Sequence, residues 1–374
     1  MRVVYLPTAP EGTVVGRPIR TTTGTVLVAA EKALSRRDID SLVRRGVYHV
    51  YAYDHNHQDI NPVDVIDTEL RDSAGSIVRE SFETILRSER RGSASLATSA
   101  IQSVVGDMVD MLSGTRDVML DILAMFDASD YLFRHAVNAA VLAVMAGREY
   151  GLPINDLLRL GQAMLLHDLG MVRVPKEVYE KQGKLTVSER ELVNAHPRNG
   201  SLMALHSGLS PVAANTILRH HEYWDGSGYP DGLAGEEIPE LARIASVVEV
   251  YDAMTSPRPY AKPVLPHEAI SWILSHTGAK FEPKAVAALV RHIAVYPAGV
   301  VLELNTGECG LSVKTDPGTP ASPFVRVLYG PDGHKLPQPI NVDLREDGDR
   351  CVIEAHLDFA VLRDARLKRT PLAA

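Results

Sequence analysis

The chain has only two cysteines, Cys309 and Cys351, and neither belongs to a CxxC pair. That excludes a disulfide framework and a thiolate zinc site, and it suits a reducing cytoplasm. No apolar run approaches the roughly eighteen residues of a transmembrane helix, so no membrane insertion is expected. The opening Met1-Arg2-Val3-Val4-Tyr5-Leu6-Pro7 holds no hydrophobic stretch of signal-peptide length. Net positive charge is missing too. At a formal −8 there is no general basic face for a nucleic-acid polymer, so an anionic substrate must be met by metal ions or a few Arg and Lys. Low-complexity segments, internal repeats and a receiver-type phosphorylation pattern are also lacking.

What is there is ordinary for a globular protein: 45% hydrophobic and 23% charged residues over 374 positions, enough for two or three domains. Residues 1–57 read as a small β-rich module, with β-branched runs at Val3-Val4-Tyr5, Thr25 to Val28 and Val47 to Tyr51 around one helix opened by Ser35. Its histidines, His49, His55 and His57, have no matching ligand set and are expected to face solvent. Residues 58–126 carry leading helices with apolar residues three or four apart, broken at Ser88 to Ser95; core packing explains their stripe better than a partner surface. Residues 127–296 form a helical heart. Tyr131 to Tyr150 ends at Gly151, and Asn155 to Leu169 ends at Gly170, which suits a left-handed cap. Thr186 to Glu189 reads as a capping box opening the helix of His196. Ser210-Pro211 opens the helix that ends in His220-His221, and Pro239 to Met254 carries Asp252. Residues 297–374 alternate strands with turns, including a hairpin signal at Pro331-Asp332-Gly333, and end in an Arg- and Lys-rich short helix and tail. The expected fold class is mainly α: a helical bundle flanked by small N-terminal and C-terminal β-rich modules.

The helical heart concentrates seven potential ligands: His135, His167, Asp168, His196, His220, His221 and Asp252. Any one of them alone has a plainer explanation as a hydrogen-bonded core residue or a helix cap. Together, with a His-Asp and a His-His doublet near helix ends, they ask for a cation, because buried imidazoles without partners cost about 1–3 kcal/mol each. A nitrogen and oxygen donor set without thiolate favours iron or manganese over structural zinc. One catalytic ion keeps open positions, so this many ligands imply two divalent ions, with Asp168 as the simplest bridge. Two ions about 3.5–4 Å apart clamp the attacking and leaving oxygens of a phosphoester displacement and make hydroxide available at neutral pH.

The segments His167-Asp168-Leu169-Gly170, His196-Pro197-Arg198-Asn199-Gly200, His220 to Pro230 and Asp252 to Tyr260 resemble the HD-GYP family of metal-dependent phosphohydrolases over roughly residues 115–300. The resemblance implies an HD-type helical domain and hydrolysis of the cyclic dinucleotide cyclic di-GMP to pGpG and then GMP. It implies the seven residues above as metal ligands, with His167 and Asp168 at the catalytic centre, and a loop at Gly228, Tyr229 and Pro230 beside the substrate. Three departures stand out. Met171 occupies the place of a family lysine that holds phosphate. Ala261 follows Arg-Pro-Tyr where a basic residue is common, with Lys262 one place on. Tyr131 stands where three-metal members carry glutamate, which favours two ions. Arg258 is the best candidate to stabilise phosphate charge in the transition state, with Lys262 as a further substrate contact. Glu222 and Asp225 are expected to fix the loop and histidines rather than act as acid or base. The alternative reading is a metal-retaining but poorly active cyclic di-GMP sensor, or a phosphodiesterase for another cyclic dinucleotide such as cGAMP. The flanking modules leave a homodimer and a signalling-protein partner open.

Overall fold

Ser35 accepts a hydrogen bond from the Asp38 amide while the Asp38 carboxylate accepts from the Ser35 amide, so the first helix opens on a reciprocal cap. In the computed structural model, the residues described are 1–21, 24–54, 57–62, 64–89, 96–114, 131–179, 181, 183–256, 263–316, 318–356 and 359. The N-terminal module contains strands β1 (Arg2–Tyr5), β2 (Ile19–Arg20) and β3 (Val26–Val28), helix α1 (Arg36–Arg44) and strand β4 (His49–Ala52). Strand β1 pairs antiparallel with β4, and β2 with β3. Leu6, Val15, Ile19, Ile39 and Val50 form its core.

The expectation that this module's histidines face water fails for His49 and His57, both 5% exposed. His49 faces inward because every residue of β4 is buried, on both faces of the strand. Burial alone holds its pKa down at about 4. Between the ordinary imidazole value and that figure the unfolded chain takes up a proton that the folded chain refuses. The stability tied to His49 is therefore intact above about pH 6.5 and is lost, by about 3 kcal/mol, as the pH falls toward 4. His49→Phe is expected to flatten the acid limb of a plot of urea midpoint against pH. An unchanged limb overturns that assignment.

The helical body follows: α2 (Thr68–Glu89), α3 (Thr98–Ser113), α4 (Tyr131–Tyr150), α5 (Ile154–Leu166), α6 (Lys176–Tyr179), α7 (Val187–Asn194), α8 (His196–His206), α9 (Pro211–Arg219), α10 (Glu240–Thr255), α11 (Pro266–Ser275) and α12 (Pro283–Val290). Helix α4 is buried almost all round, with every residue from Ala136 to Ala146 apart from Asn138 no more than 2% exposed. A helix apolar on all faces belongs at the centre. Here α2, α5, α10 and α12 pack around it, and Gly151 closes it at φ +96°. The apolar stripe of α2 and α3, including Phe82, Val104, Val105 and Met108, joins this same core. No helix among the described residues is long and apolar enough to cross a membrane.

The C-terminal module is an antiparallel sheet of β5 (Val301–Leu304), β6 (Cys309–Lys314), β7 (Phe324–Tyr329), β8 (Lys335–Asp343) and β9 (Val352–His356), ordered β8-β7-β6-β5-β9. Strands β6 and β8 have weak sequence signals. Gly310 interrupts the first, where a Cβ would collide with the Arg326 carbonyl, and Pro337 and Pro339 interrupt the second. The two flanking modules meet. The Val3 amide donates to the Gly299 carbonyl at 2.9 Å, and Val3 and Tyr51 share one apolar cluster with Leu302, Leu304, Val325 and Val327. Arg326 grips both oxygens of Asp59 at 2.8 and 2.6 Å.

Candidate metal centre

Three of the histidines sit where a helix has just run out of intrahelical donors, and each uses its ring to satisfy a carbonyl there. His167, directly after α5, donates from Nδ1 to the Met164 carbonyl at 2.6 Å. His196, just beyond α7, does the same to Val193 at 2.7 Å, and His220, after α9, to Ile217 at 2.7 Å. A carbonyl can only accept, so Nδ1 carries the proton and Nε2 carries the lone pair. Those lone pairs converge. His167 Nε2 lies 3.1 Å from His135 Nε2, and His196 Nε2 lies 3.2 Å from His220 Nε2. At least within the His196–His220 pair, two lone pairs face each other with no hydrogen between them, an arrangement that a cation relieves.

His135 is held differently because it lies inside α4. Its Nδ1 is 2.6 Å from Asp252 Oδ2 on α10, and its Nε2 is 2.8 Å from Glu249 Oε2, one turn earlier on that helix. The same Glu249 oxygen is 3.2 Å from His167 Nε2. Glu249 was not among the expected ligands, whereas Asp252 was. In the structure Asp252 stands behind His135, bonded also by Ser256 Oγ at 3.1 Å, and Glu249 projects into the group. The signal for Glu249 was a lone acidic residue in the apolar run Val247-Val248-Glu249-Val250-Tyr251, set three residues before Asp252 and so on the same helix face.

Asp168 faces two ways. Its Oδ2 is 3.6 Å from His167 Nε2 and 3.9 Å from that of His135, while Oδ1 is 3.4 Å from His196 Nε2. The donor atoms fall into three overlapping groups: His135 with His167 and Glu249; His167 with Asp168 and His220; His196 with His220 and His221. Burial drives the basicity of His220 well down and that of His221 to about 3, so both are neutral at physiological pH and able to act as ligands. At His167 burial also works downward, but Asp168 and Glu249 outweigh it and raise the pKa.

The helix ends are brought together by close backbone contact. Gly170 is not the left-handed cap expected; α5 ends earlier, at Leu166, and Gly170 lies in a 3-10 turn. A Cβ on Gly170 would collide with the His196 carbonyl and the Gly200 amide. Only glycine lets the His167-Asp168 corner lie against the start of α8, which His196 itself opens instead of lying in the helix capped at Thr186. Gly170→Ala is expected to destabilise the fold by about 1–3 kcal/mol and to weaken metal retention by pushing His196 away. Thermal unfolding with metal analysis checks both, and a neutral result on both removes the role assigned to Gly170.

The loop after His221 is tied from below. Glu222, fully buried, accepts from the amides of Asp231 at 2.8 Å and Leu233 at 3.1 Å, and Asp225 accepts from Ser227 at 2.9 Å. Gly228 presses on the backbone of Glu222 and Tyr223, where a side chain would collide. Tyr229, joined to Pro230 by a cis bond, stacks on His221 with ring centres 4.7 Å apart. Tyr223 meets Phe281 edge-on and Trp224 lies under Arg243, so both pack the loop. Met171 is half-buried against the helical core. Arg258, Ala261 and Lys262, together with the side chain of Tyr131, lie outside the described residues.

Residues 117–285 match the family model described as an HD domain, and residues 301–359 match that of a KOW domain associated with HD domain. The chain is 36% identical over 254 residues to cyclic di-GMP phosphodiesterase PA4108 of Pseudomonas aeruginosa, covering 66% of this chain and 61% of that one. It is 40% identical over 152 residues to cyclic di-GMP phosphodiesterase response regulator RpfG of Xanthomonas campestris pv. campestris, covering 40% of each chain. It is 31% identical over 188 residues to 3'3'-cGAMP-specific phosphodiesterase 2 of Vibrio cholerae, covering 50% of this chain and 36% of that one. The match thus spans from about a third to three fifths of these relatives' lengths. The helical body is an HD domain, a fold that binds divalent metal, and its His and Glu groups are suited to hold it. Residues 117–285, with the His167-Asp168 doublet and the Gly228-Tyr229-Pro230 loop, belong to the HD domain family.

Proposed function

We propose that this protein is a metal-dependent phosphodiesterase that hydrolyses cyclic di-GMP to pGpG and then to GMP. The observation that carries the proposal is the convergence of imidazole lone pairs, fixed by Nδ1 bonds to helix-end carbonyls, on a carboxylate whose oxygens face opposite ways. It fits two divalent ions, most simply iron or manganese. One would be held by His135, His167 and Glu249 and the other by His196, His220 and His221, with Asp168 between the two groups. Asp252 then orients His135 from behind instead of ligating.

When bound, such ions supply Lewis acidity to the phosphoryl oxygens and a nucleophile at neutral pH. The chain's part is to hold them. The carbonyl anchors fix the tautomers of His167, His196 and His220, and Glu222 fixes the loop bearing Gly228, Tyr229 and Pro230 at the mouth. Arg258 is assigned to the charge that builds on phosphorus-bound oxygen, with Lys262 as a further phosphate contact. A cytoplasmic location and a homodimer or signalling partner fit this role.

Anaerobically purified protein loaded with Fe(II) or Mn(II) is expected to convert cyclic di-GMP to pGpG and GMP, read by product chromatography. A competition series with 3'3'-cGAMP and linear pGpG assigns the substrate. The second reading, a metal-retaining sensor with poor turnover, is favoured by Met171, which is committed to the core where the family places a phosphate-holding lysine. Tight cyclic di-GMP binding without pGpG release would select it.

A further inference from the structure

We infer that the joint between the N-terminal module and the C-terminal sheet is a binding site for a small planar aromatic monoanion, of the aromatic carboxylate class. A cavity of about 330 Å³ lies there, lined from both modules. Arg2 and Val4 enter it from β1, where residues two apart share a face. Tyr329 and Lys335 enter from the C-terminal sheet. They are direct partners across the β7–β8 pair, so their side chains stand next to each other on one face. The Phe359 ring packs on Tyr329 with centres 5.0 Å apart, which gives the cavity an aromatic wall.

His57 shows that the guest is polar as well as flat. It lines the cavity, is 5% exposed, and its ring Nδ1 has no hydrogen-bond partner among the described residues. Buried polar atoms are ordinarily paired, so an unpaired one on a cavity wall asks for a partner from the guest. Burial pulls the His57 pKa down against the opposing charge of Asp54, so the ring is neutral and offers a hydrogen bond, not a charge. Charge comes from Arg2 and Lys335. Arg2 stands 3.6 Å from Asp54, beyond hydrogen-bond length, and that carboxylate offsets one of the two cations. One positive charge is left over, which a single carboxylate balances. The volume is at the lower end of the roughly 300–1,000 Å³ usual for ligand pockets, so it suits one or two rings and not a cyclic dinucleotide. A guest held in this way ties the two modules together, because its contacts come from both.

The site does not depend on the proposed phosphodiesterase activity, and its test reads binding alone. Full-length protein is titrated by calorimetry with benzoate and with indole-3-acetate, each beside its neutral amide, and the thermal midpoint is followed in parallel. At least one of the two carboxylates is expected to bind at one equivalent and raise the midpoint, with its amide about tenfold weaker or more. Lys335→Glu, on an exposed stretch of β8, is expected to weaken that binding about tenfold. His57→Phe, which keeps a ring and removes its nitrogens, is expected to weaken it about threefold to tenfold. Lys335→Glu keeps the test valid if His57→Phe fails to fold. The same affinities are expected in an Asp168→Ala background, which separates this site from the helical centre. Equal binding of acid and amide, binding undisturbed by Lys335→Glu, or no binding of either carboxylate overturns the inference.

Discussion

Replacing Asp168 by alanine is expected to reduce cyclic di-GMP turnover on the order of a thousandfold or more, equivalent to about 4 kcal/mol of transition-state stabilisation. The reason is geometric. Asp168 reaches toward both histidine groups, at 3.6 Å to His167 and 3.4 Å to His196. Burial works to raise its pKa, but His167, His196 and His135 outweigh that and keep it ionised. Its removal takes a negative charge from between the two proposed cation positions, so bound metal should fall along with rate. Asp168→Asn, which keeps the volume, separates charge from packing: a loss equal to that of alanine assigns the effect to charge. Retained turnover in folded Asp168→Ala would sink the mechanism.

The second large effect distinguishes two acidic residues one helical turn apart. Glu249→Gln is expected to lower metal affinity about a hundredfold or more and to leave turnover deficient even with excess metal, because a ligand is lost. Asp252→Asn is expected to cost about 10–100-fold through the orientation and basicity of His135, and to recover as Mn(II) is raised. Metal titration of both variants, read by turnover and by bound metal, decides between them. If Asp252→Asn resists rescue while Glu249→Gln responds, the roles are reversed and the seven residues first singled out stand as the ligand set.

That reversal would restore a purely sequence-based assignment, and the reason it is at risk is instructive. Motif order locates His167-Asp168, His196 and His220-His221, although the sequence reading puts His167-Asp168 and His196 inside helices that in the structure end just before them. It does not single out Glu249 on α10, which shares a face with Asp252 and differs from it in meeting His135 at Nε2 instead of Nδ1. Gly170 shows the same limit. Its presence is visible in the sequence, but the reason for it, the carbonyl of His196 arriving from another helix, is a tertiary fact. His49 was misjudged because the first module is too small to bury both faces of β4 by itself. The cover over Tyr51, on the same face as His49, comes from the far end of the chain, which no local pattern announces. Strands β6 and β8 escaped notice since glycine and proline disguise their alternation.

The joint between β1 and the C-terminal sheet carries a practical consequence. The opening and closing modules are one mechanical piece clamped across the helical body, although most of the sequence separates them. Deleting either leaves Val3 and Tyr51, or Leu302 and Val325, facing water, so a shortened protein loses solubility for reasons unrelated to phosphate chemistry.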